Sequence, residues 1–454
     1  MDARPVLIAG GGIGGLAAAL GLAQKGIRSI LLEKASTLGE IGAGIQLGPN
    51  AFHAFDYLGV GEAARSMAVY IDQLRLMDAL TAEEITHVDL GDAFRSRFRN
   101  PYAVVHRGDL HGVFLRACES HELIELRVSS EVVGYDQDGS SVTARLANGE
   151  RVTGRLLIGA DGLWSNVRKQ VVADGPPRVS GHTTYRSVIP TEQMPEDLRW
   201  NAATLWAGPK CHIVHYPLSG WKVFNLVVTY HNDAPEPVAG KPVSDEEVMQ
   251  GFGHIHPRAQ EIIRHGKNWR LWVLCDRDPV EHWVDGRVAL LGDAAHPMLQ
   301  YFAQGACQAM EDAVCLSHML GAHDDYATAL EAYRAQRFLR DADGFHFFRG
   351  RADDLIKISG QWVYPLEVEL CLAEHPDIRE CAVFAAELPD RRMTLKAVVV
   401  MNKGGFDARS ATKTLQDYVK AKLLPYKYPR EIRFIEELPK TGTGKIDRQA
   451  LMKM

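Results

Sequence analysis

A glycine-rich turn near the N-terminus constrains the fold of this chain more than any other feature. An apolar run that begins at Val6 leads into a turn containing Gly10, Gly12 and Gly15, and a helical pattern follows as far as Lys25. This spacing is typical of dinucleotide-binding turns. The first glycine makes the tight turn, the second admits a pyrophosphate close to the backbone, and the third lets helix and strand pack closely. A tight turn without a ligand is the alternative interpretation.

An acidic residue stands where a βαβ unit that binds a dinucleotide requires one. Glu33 follows the next predicted strand, Ser29 to Leu32, at the position where a carboxylate accepts hydrogen bonds from ribose hydroxyls. Strand, turn, helix and acid therefore occur in the right order. The segment predicts a Rossmann-like dinucleotide-binding domain.

Length and composition indicate a soluble globular protein with several domains. The chain has 454 residues, of which 46% are hydrophobic and 24% charged, and these values predict two to four domains. Its net charge of −6 argues against a general nucleic-acid binder. No apolar run approaches the ~20 residues that a membrane-spanning helix needs, and we read no export signal at the N-terminus.

The cysteine and histidine patterns indicate the redox compartment of the protein and whether it binds a metal. The seven cysteines are odd in number and form no Cys-x-x-Cys pair, which favours a reduced compartment and a cytoplasmic protein. His212 and His215 resemble a ligand pair, but no third ligand has suitable spacing. We therefore expect no metal.

A second strand–loop–helix segment lies between Gly286 and Met319. The apolar run Val288 to Leu291 ends in Gly-Asp, and a helical pattern opens at Gly305. This layout brings the Asp293 carboxylate and a helix N-terminus into the same small volume, which suits a ribityl hydroxyl and a ring that becomes negative on reduction. An ordinary strand–loop–helix with a capping aspartate is the alternative.

Two further segments have more than one interpretation. The glycine-rich stretch 39–50 either spans a gap between domains or passes close to a flat ligand. Arg107 starts a predicted helix and either reaches a phosphate or lies on the surface. Alternating, aromatic-bearing strands between Gly181 and Trp272 predict an antiparallel sheet that could cover a cofactor and form the wall of an aromatic pocket.

Three motifs together point to a family. The fingerprint that ends at Glu33, the Asp161-Gly162 turn followed by Arg168, and the Gly292-Asp293 turn followed by His296-Pro297 occur in this order. In order and spacing they resemble the single-component, FAD-dependent aromatic hydroxylases over about the first three quarters of the chain. A finer match is carried by Gly44 to Asn50, Tyr185-Arg186, His212 to Pro217 and Met298 to Gly305. These stretches are most similar to the members that convert 3-hydroxybenzoate to 2,5-dihydroxybenzoate, with the salicylate hydroxylases next.

The resemblance implies cofactors, co-substrates and site residues. FAD would be the cofactor, with NADH and O₂ as co-substrates and a small aromatic acid as the substrate. His212 and Gln300 would engage the phenol oxygen, and Tyr216 would position the substrate. His212 and Tyr216 are four residues apart on one predicted strand and so share a face, although a structural histidine and a packed tyrosine are alternatives. The implied cofactor-binding residues are Gly10, Gly12, Gly15, Glu33, Gln46, Arg107, Asp161, Gly292, Asp293 and Gly305.

The sequence changes character after Arg337. Four stretches carry a second resemblance, namely Gly350 to Gly360, Pro365 to Glu369, Pro425 to Arg430 and Leu438 to Ile446. They resemble the small C-terminal domain of acyl- and aryl-CoA ligases in the adenylate-forming superfamily, in which the lysine matching Lys445 meets the carboxylate and ATP. Upstream there is neither a Ser/Thr/Gly-rich phosphate loop nor the large domain that binds ATP in such ligases. We therefore expect Lys445 to be catalytically idle.

The predicted fold class is α/β, and α+β overall. A Rossmann-like FAD-binding domain spans 1–180 and 270–337, an antiparallel-sheet substrate domain spans 181–269, and a small α+β ligase-type C-terminal domain spans 338–454. The predicted function is flavin-dependent hydroxylation of a phenolic acid. A non-catalytic fusion or chimera is the rival hypothesis, an ATP-dependent ligase is disfavoured, and a homodimer is one candidate assembly.

Overall fold

The chain divides into two compact units, 1–349 and 350–454. The computed structural model describes residues 4–39, 44–278, 280, 282–337, 356–358, 361–363, 365–373, 375–387, 393–402, 405–423, 428–439 and 451. The predicted start of the ligase-type domain at residue 338 lies outside these residues. Within the part of the chain that the structure describes, every helix is too short or too polar to cross a membrane.

The first unit mixes helices and strands along its whole length. Its helices are α1 (Ile13–Ala23), α2 (Pro49–Tyr57), α3 (Gly61–Met67), α4 (Asp92–Phe98), α5 (Arg107–Glu119), α6 (Asn166–Val171), α7 (Asp245–Met249), α8 (Pro257–Arg264), α9 (Gly305–Ala322) and α10 (Tyr326–Arg337). Its strands are β1 (Val6–Ala9), β2 (Ser29–Leu32), β3 (Gly44–Leu47), β4 (Val69–Tyr70), β5 (Gln73–Asp78), β6 (Glu84–Asp89), β7 (Ala103–His106), β8 (Ile124–Arg127), β9 (Val132–Gln137), β10 (Val142–Leu146), β11 (Arg151–Gly154), β12 (Leu156–Gly159), β13 (Arg178–Pro190), β14 (Ala202–Gly208), β15 (Cys211–Leu218), β16 (Val223–His231), β17 (Ala239–Pro242), β18 (Arg270–Asp276), β19 (Val284–Asp285) and β20 (Val288–Leu290).

A six-stranded sheet in the order β19-β20-β12-β1-β2-β8 forms the centre of the dinucleotide-binding part. Its strands are parallel except for β19. The central strands read as continuous apolar runs because both of their faces are buried. Gly10 ends the first strand with φ +104°, and a Cβ on Gly15 would lie 2.0 Å from the Gly10 carbonyl oxygen. Only glycine fits such a close approach of helix and strand.

An eight-stranded sheet in the order β17-β18-β13-β16-β15-β14-β5-β6 forms the second layer. All neighbouring pairs are antiparallel except β14 and β5. One face packs on helices α7 and α8 through buried side chains such as Val248 and Ile262. The predicted sheet lay between Gly181 and Trp272, so the prediction did not include β5 and β6. These strands join it because Gln73 pairs with the distant Ala202.

Two smaller three-stranded sheets complete the first unit, with orders β11-β10-β9 and β3-β7-β4. The second unit contains α11 (Pro365–Ala373), α12 (Ala408–Lys422), β21 (Ile356–Ile358), β22 (Gln361–Val363), β23 (Ile378–Glu387), β24 (Met393–Met401) and β25 (Glu431–Phe434). The last three strands form one sheet over their own buried core, which includes Val383, Val399 and Val419. Lys445 lies outside the described residues.

Candidate active site

A cavity of about 700 Å³ lies within the first unit, between the parallel sheet and the eight-stranded sheet. Side chains and backbone from both layers line it. Nine of the predicted site residues do so, namely Gly12, Gln46, Arg107, His212, Tyr216, Gly292, Asp293, Gln300 and Gly305. The sequence therefore predicted residues that the fold brings together from distant parts of the chain.

Four predicted cofactor residues do not line the cavity. Gly10 and Gly15 shape the turn below it. The Glu33 carboxylate accepts hydrogen bonds from the backbone N–H of Gly11 at 2.6 Å and of Ala35 at 2.8 Å, and so it lies against the glycine turn.

Asp161 does not line the cavity, and its carboxylate is bound within the chain. Its carboxylate accepts hydrogen bonds from the Ser165 hydroxyl and from the backbone N–H of Asn166 at 2.8 Å and Val167 at 3.2 Å. These bonds commit the carboxylate to the N-terminus of α6, where it satisfies otherwise unpaired N–H groups. The neighbours Ala160 and Gly162 line the cavity instead.

Asp293 and the start of α9 occupy one corner of the cavity. Helix α9 begins at Gly305, as the sequence predicts, and a Cβ on Gly305 would lie 3.9 Å from Asp293 Oδ1. The Asp293 side chain is open to the cavity, yet protein atoms surround it closely. Burial raises the pKa of Asp293, while the positive charges of His296 and Arg107 oppose that rise. One carboxylate and one helix N-terminus therefore share this space.

Buried charged groups hold the loop between β20 and α9. Asp312 accepts a hydrogen bond from the Gly292 N–H at 2.8 Å and contacts His296 Nε2 at 2.6 Å, and the Arg337 guanidinium pairs with it from the last turn of α10. Burial acts to raise the pKa of Asp312, but the charges of Arg337 and His296 outweigh it and hold that pKa below its ordinary value. Since Arg337 also donates to Gln308 Oε1 at 2.9 Å, it ties α10 to the first turns of α9.

The strand register of the eight-stranded sheet arranges the other wall. His212 lies opposite Thr229, and Thr229 lies opposite Thr184, which places these three side chains side by side across β15, β16 and β13. Two residues further along, Arg186 lies opposite Val227 in a second row. Cross-strand partners share a face of the sheet. Both rows therefore face the same side, and His212, Arg186 and Val227 line the cavity.

The two histidines of β15 point to opposite faces of the sheet. His212 faces the cavity, where its ring lies 5.3 Å from the ring of Tyr301. His215 is buried on the core face, where its Nε2 accepts a hydrogen bond from Trp206 Nε1 at 3.1 Å. Burial, with a smaller contribution from the nearby His182, lowers the pKa of His212 to about 4. His212 is therefore neutral near pH 7 and able to accept a proton.

Gln300 lies in a 3₁₀ turn and is held from three sides. Its Nε2 donates to the Thr184 hydroxyl at 3.0 Å and to the Thr229 hydroxyl at 3.1 Å, and its Oε1 accepts from Arg186 Nη2 at 3.0 Å. Threonine hydroxyls either donate or accept, whereas a guanidinium only donates. Arg186 therefore fixes which end of the amide is the carbonyl oxygen. Both amide protons are used, and the oxygen retains one lone pair.

Tyr216 closes the far end of the same wall. A Cβ on Gly44 would lie 2.5 Å from Tyr216 Cε2, so the start of β3 passes directly over the tyrosine ring. The Gly44 N–H donates to Asn225 Oδ1 at 2.8 Å, and Asn225 lies opposite Tyr216 in the sheet. Burial raises the pKa of Tyr216. Its hydroxyl stays protonated at neutral pH and available as a donor.

Comparison with known proteins identifies the family. Residues 3–342 match a family model described as FAD binding domain. The chain is 57% identical over 355 residues to 3-hydroxybenzoate 6-hydroxylase 1 of Aquipseudomonas alcaligenes, an alignment that covers 78% of this chain and 90% of that protein. It is 50% identical over 337 residues to 3-hydroxybenzoate 6-hydroxylase of Klebsiella oxytoca, covering 74% and 85% of the two chains. This chain belongs to the FAD-dependent aromatic monooxygenases.

The fold agrees with that assignment. A solved structure described as a salicylate hydroxylase substrate complex superposes on the monooxygenase with a TM-score of 0.64 at 25% identity, covering 73% of this chain and 85% of that one. Residues 367–445 match a model described as AMP-binding enzyme C-terminal domain. The predicted fold class, with its FAD-binding part and ligase-type C-terminal part, is confirmed.

The residues of the monooxygenase fit FAD. Helices α1 and α9 both begin at the cavity without a side-chain hydrogen bond at their N-caps, Gly12 and Gln304. Such N-termini suit negatively charged groups. Asp293 offers the acceptor that sugar or ribityl hydroxyls need. The absence of side chains at Gly12 and Gly292 leaves room beside both helices.

Sequence reasoning gave no role to three residues of the monooxygenase site. Thr184, Thr229 and Arg186 hold Gln300, yet the sequence offers only one signal for them. Thr184 and Arg186 are two residues apart and so point to the same side of β13. Their partner strand and its register depend on long-range pairing, which has no local signature.

Proposed function

We propose that this monooxygenase converts 3-hydroxybenzoate, NADH, O₂ and a proton to 2,5-dihydroxybenzoate, NAD⁺ and water. The observation that carries the proposal is the convergence of neutral His212 and oriented Gln300 in the same cavity as Asp293 and the start of α9. The names of the two relatives support the choice of substrate. Salicylate is the competing substrate, favoured by the structural neighbour.

His212 is the proposed base for the phenol. Removal of the phenolic proton makes the aromatic ring more electron-rich and therefore a better nucleophile. Because burial lowers the pKa of His212 to about 4, its ring is unprotonated at physiological pH. The phenol O–H would donate to a ring nitrogen of His212, and its proton would move to that nitrogen while the ring is hydroxylated, when the phenol oxygen gains carbonyl character and its proton becomes strongly acidic.

Gln300 is the proposed acceptor that orients the same phenol. Its Nε2 is committed to Thr184 and Thr229, so its free capacity is the second lone pair of Oε1. The phenol has one proton, so the two groups would use it in turn: Oε1 would accept the O–H hydrogen bond as the substrate binds, and His212 would take the proton during hydroxylation. This arrangement supplies orientation, which contributes strongly to rate when the reacting groups are held in place.

The other residues of the cavity wall are proposed to position the aromatic ring of the substrate and to limit the access of water. Val214, Val227 and Leu205 provide apolar surface beside Tyr216, which is the proposed positioning residue. Bound FAD supplies the redox chemistry that transfers one oxygen atom from O₂. Apolar surface that keeps water away from the reacting groups favours this outcome over unproductive release of peroxide.

The proposal extends to the cofactors and setting of the enzyme. Asp293, Gly305 and Gln46 are the proposed flavin contacts within the cavity, with Arg107 beside Asp293. NADH is the proposed electron donor, the cytoplasm the proposed location and a homodimer the proposed assembly. The ligase-type domain is proposed to be idle in catalysis.

One assay tests the proposed function. The purified full chain is tested for flavin absorbance, and NADH oxidation is then followed with 3-hydroxybenzoate and with salicylate while products are separated by chromatography. We expect 2,5-dihydroxybenzoate from 3-hydroxybenzoate in near-equal amount to the NADH consumed. Colourless protein, or NADH loss that yields only hydrogen peroxide, would contradict the proposal, and efficient conversion of salicylate alone would reassign the substrate.

A further inference from the structure

Arg186 is a cation in the cavity wall, and its hydrogen bond to Gln300 uses only part of its capacity to bind a ligand. Its guanidinium lies over the ring of Trp272, 5.0 Å from the ring centroid, and one of its five N–H groups donates to Gln300. Its Nε is enclosed and has no hydrogen-bond partner. The side chain is therefore fixed in place while much of its donor capacity is unused.

No carboxylate balances this charge within the described residues. Arg186 forms no ion pair there, whereas Arg75, another cation of the cavity wall, pairs with Glu84 at 3.0 Å. Arg107 has Asp293 nearby, and the two influence one another electrostatically. Arg186 has the opposite environment, because burial lowers its pKa and the charge of Arg107 lowers it further.

An enclosed cation without a counter-ion is costly unless an anion joins it. A ligand carboxylate suits a guanidinium well, since its two oxygens match two parallel N–H donors. Arg186 also stands beside the amide that we propose receives the phenol. An aromatic acid with a hydroxyl near Gln300 would bring its carboxylate to the same part of the wall.

We propose that Arg186 is the counter-ion of the substrate carboxylate and thereby selects hydroxylated aromatic acids over neutral phenols. This inference rests on the proposed function and deepens it. Arg186, in the second row of cross-strand partners, would then bind the carboxylate of the substrate. His212, in the first row, would bind its hydroxyl.

Ligand binding to the FAD-loaded enzyme tests this assignment without turnover. Dissociation constants for 3-hydroxybenzoate and for its neutral analogue 3-hydroxybenzamide are measured by the change in flavin absorbance, in wild type and in the variants R186M, R186Q and R186K. Flavin content and melting temperature report whether each variant folds. R75M serves as the matched control, because it removes a cavity cation that already has a partner.

We expect wild type to bind the acid at least 30-fold more tightly than the amide, which corresponds to about 2 kcal/mol. In R186M and R186Q that preference should fall below threefold, R186K should keep part of it, and R75M should keep it fully. The ratio of the two constants cancels any shared loss from a reoriented Gln300. A preference that survives in R186M and R186Q would overturn this inference alone. Wild-type enzyme that binds neither ligand would overturn the proposed function as well.

Discussion

The two faces of the eight-stranded sheet contain similar residues but have different environments. On β15, His212 faces the cavity beside Thr229 and Tyr301, while His215 faces a closed core beside Trp206. Burial lowers the pKa of His212 to about 4 and that of His215 to about 3. Both histidines are neutral at pH 7, and only one can be reached by a substrate.

The comparison teaches that a lowered pKa reports burial and does not by itself mark a functional residue. What separates the two histidines is the alternation of side chains along a strand, since residues three apart point to opposite faces. The cavity face is therefore expected to determine catalysis, and the core face stability. Each prediction below tests that division.

The largest expected effect is on the cavity face. His212→Asn should lower kcat for hydroxylation at least ~100-fold, because loss of a general base typically costs two orders of magnitude or more. Its free energy of unfolding should stay within ~1 kcal/mol of wild type. Product formation under saturating NADH and chemical denaturation measure the two quantities. A kcat of His212→Asn within tenfold of the wild-type value would show that the cavity face does not determine catalysis through His212.

On the core face the expected effect is a change in how stability depends on pH. The pKa of His215 falls from 6.5 to about 3 on folding, so its contribution to stability is fully present above pH 6.5 and is lost as the pH falls towards 3. His215→Gln keeps an acceptor for Trp206 and removes the titration. Between pH 6.5 and 4.5 the variant should lose about 2 kcal/mol less stability than wild type.

The control for this prediction is activity. Denaturant unfolding at several pH values gives the stability difference, and kcat at pH 7.5 should stay within about twofold of wild type because His215 does not reach the cavity. A large loss of kcat in folded His215→Gln enzyme would show that the core face takes part in catalysis.

A smaller effect is expected beside His212 on the cavity face. Thr184→Val removes one of the two hydroxyls that accept from Gln300 Nε2, while Arg186 still holds Oε1. One lost hydrogen bond of this kind is worth about 1 kcal/mol, so kcat should fall roughly fivefold to tenfold. Thr184→Ser retains the hydroxyl and should restore most of the activity. Equal losses in both variants would argue against the hydrogen bond as the cause.

The smallest effect is expected in the second unit. Lys445 resembles a catalytic lysine of ligases, but the part of the chain before its domain matches an FAD binding domain. Lys445→Ala should change kcat and KM for hydroxylation less than about twofold. Steady-state kinetics with 3-hydroxybenzoate measure this, and a tenfold loss would show that the ligase-type domain supports the hydroxylase.

Sequence reasoning succeeded where the signal is local. The turn at Gly10, the start of α9 at Gly305 and the shared face of His212 and Tyr216 all follow from spacing along one segment. Each depends only on residues close in the chain. The structure places them as that spacing predicts.

Sequence reasoning failed where the structure depends on pairing between residues that are far apart in the chain. The pairing of β5 with β14, which adds 73–89 to the substrate-side sheet, has no local signature. The same is true of the Thr184–Thr229 pair that holds Gln300.

The central claim is that the cavity transfers one oxygen atom to the ring of a hydroxylated aromatic acid. The most direct measurement is the reaction of purified enzyme with 3-hydroxybenzoate and NADH under ¹⁸O₂, followed by mass spectrometry of the product. The account predicts 2,5-dihydroxybenzoate with one ¹⁸O atom, in near-equal amount to the NADH consumed. Unlabelled product, or NADH consumption that yields hydrogen peroxide and leaves 3-hydroxybenzoate unchanged, would contradict it.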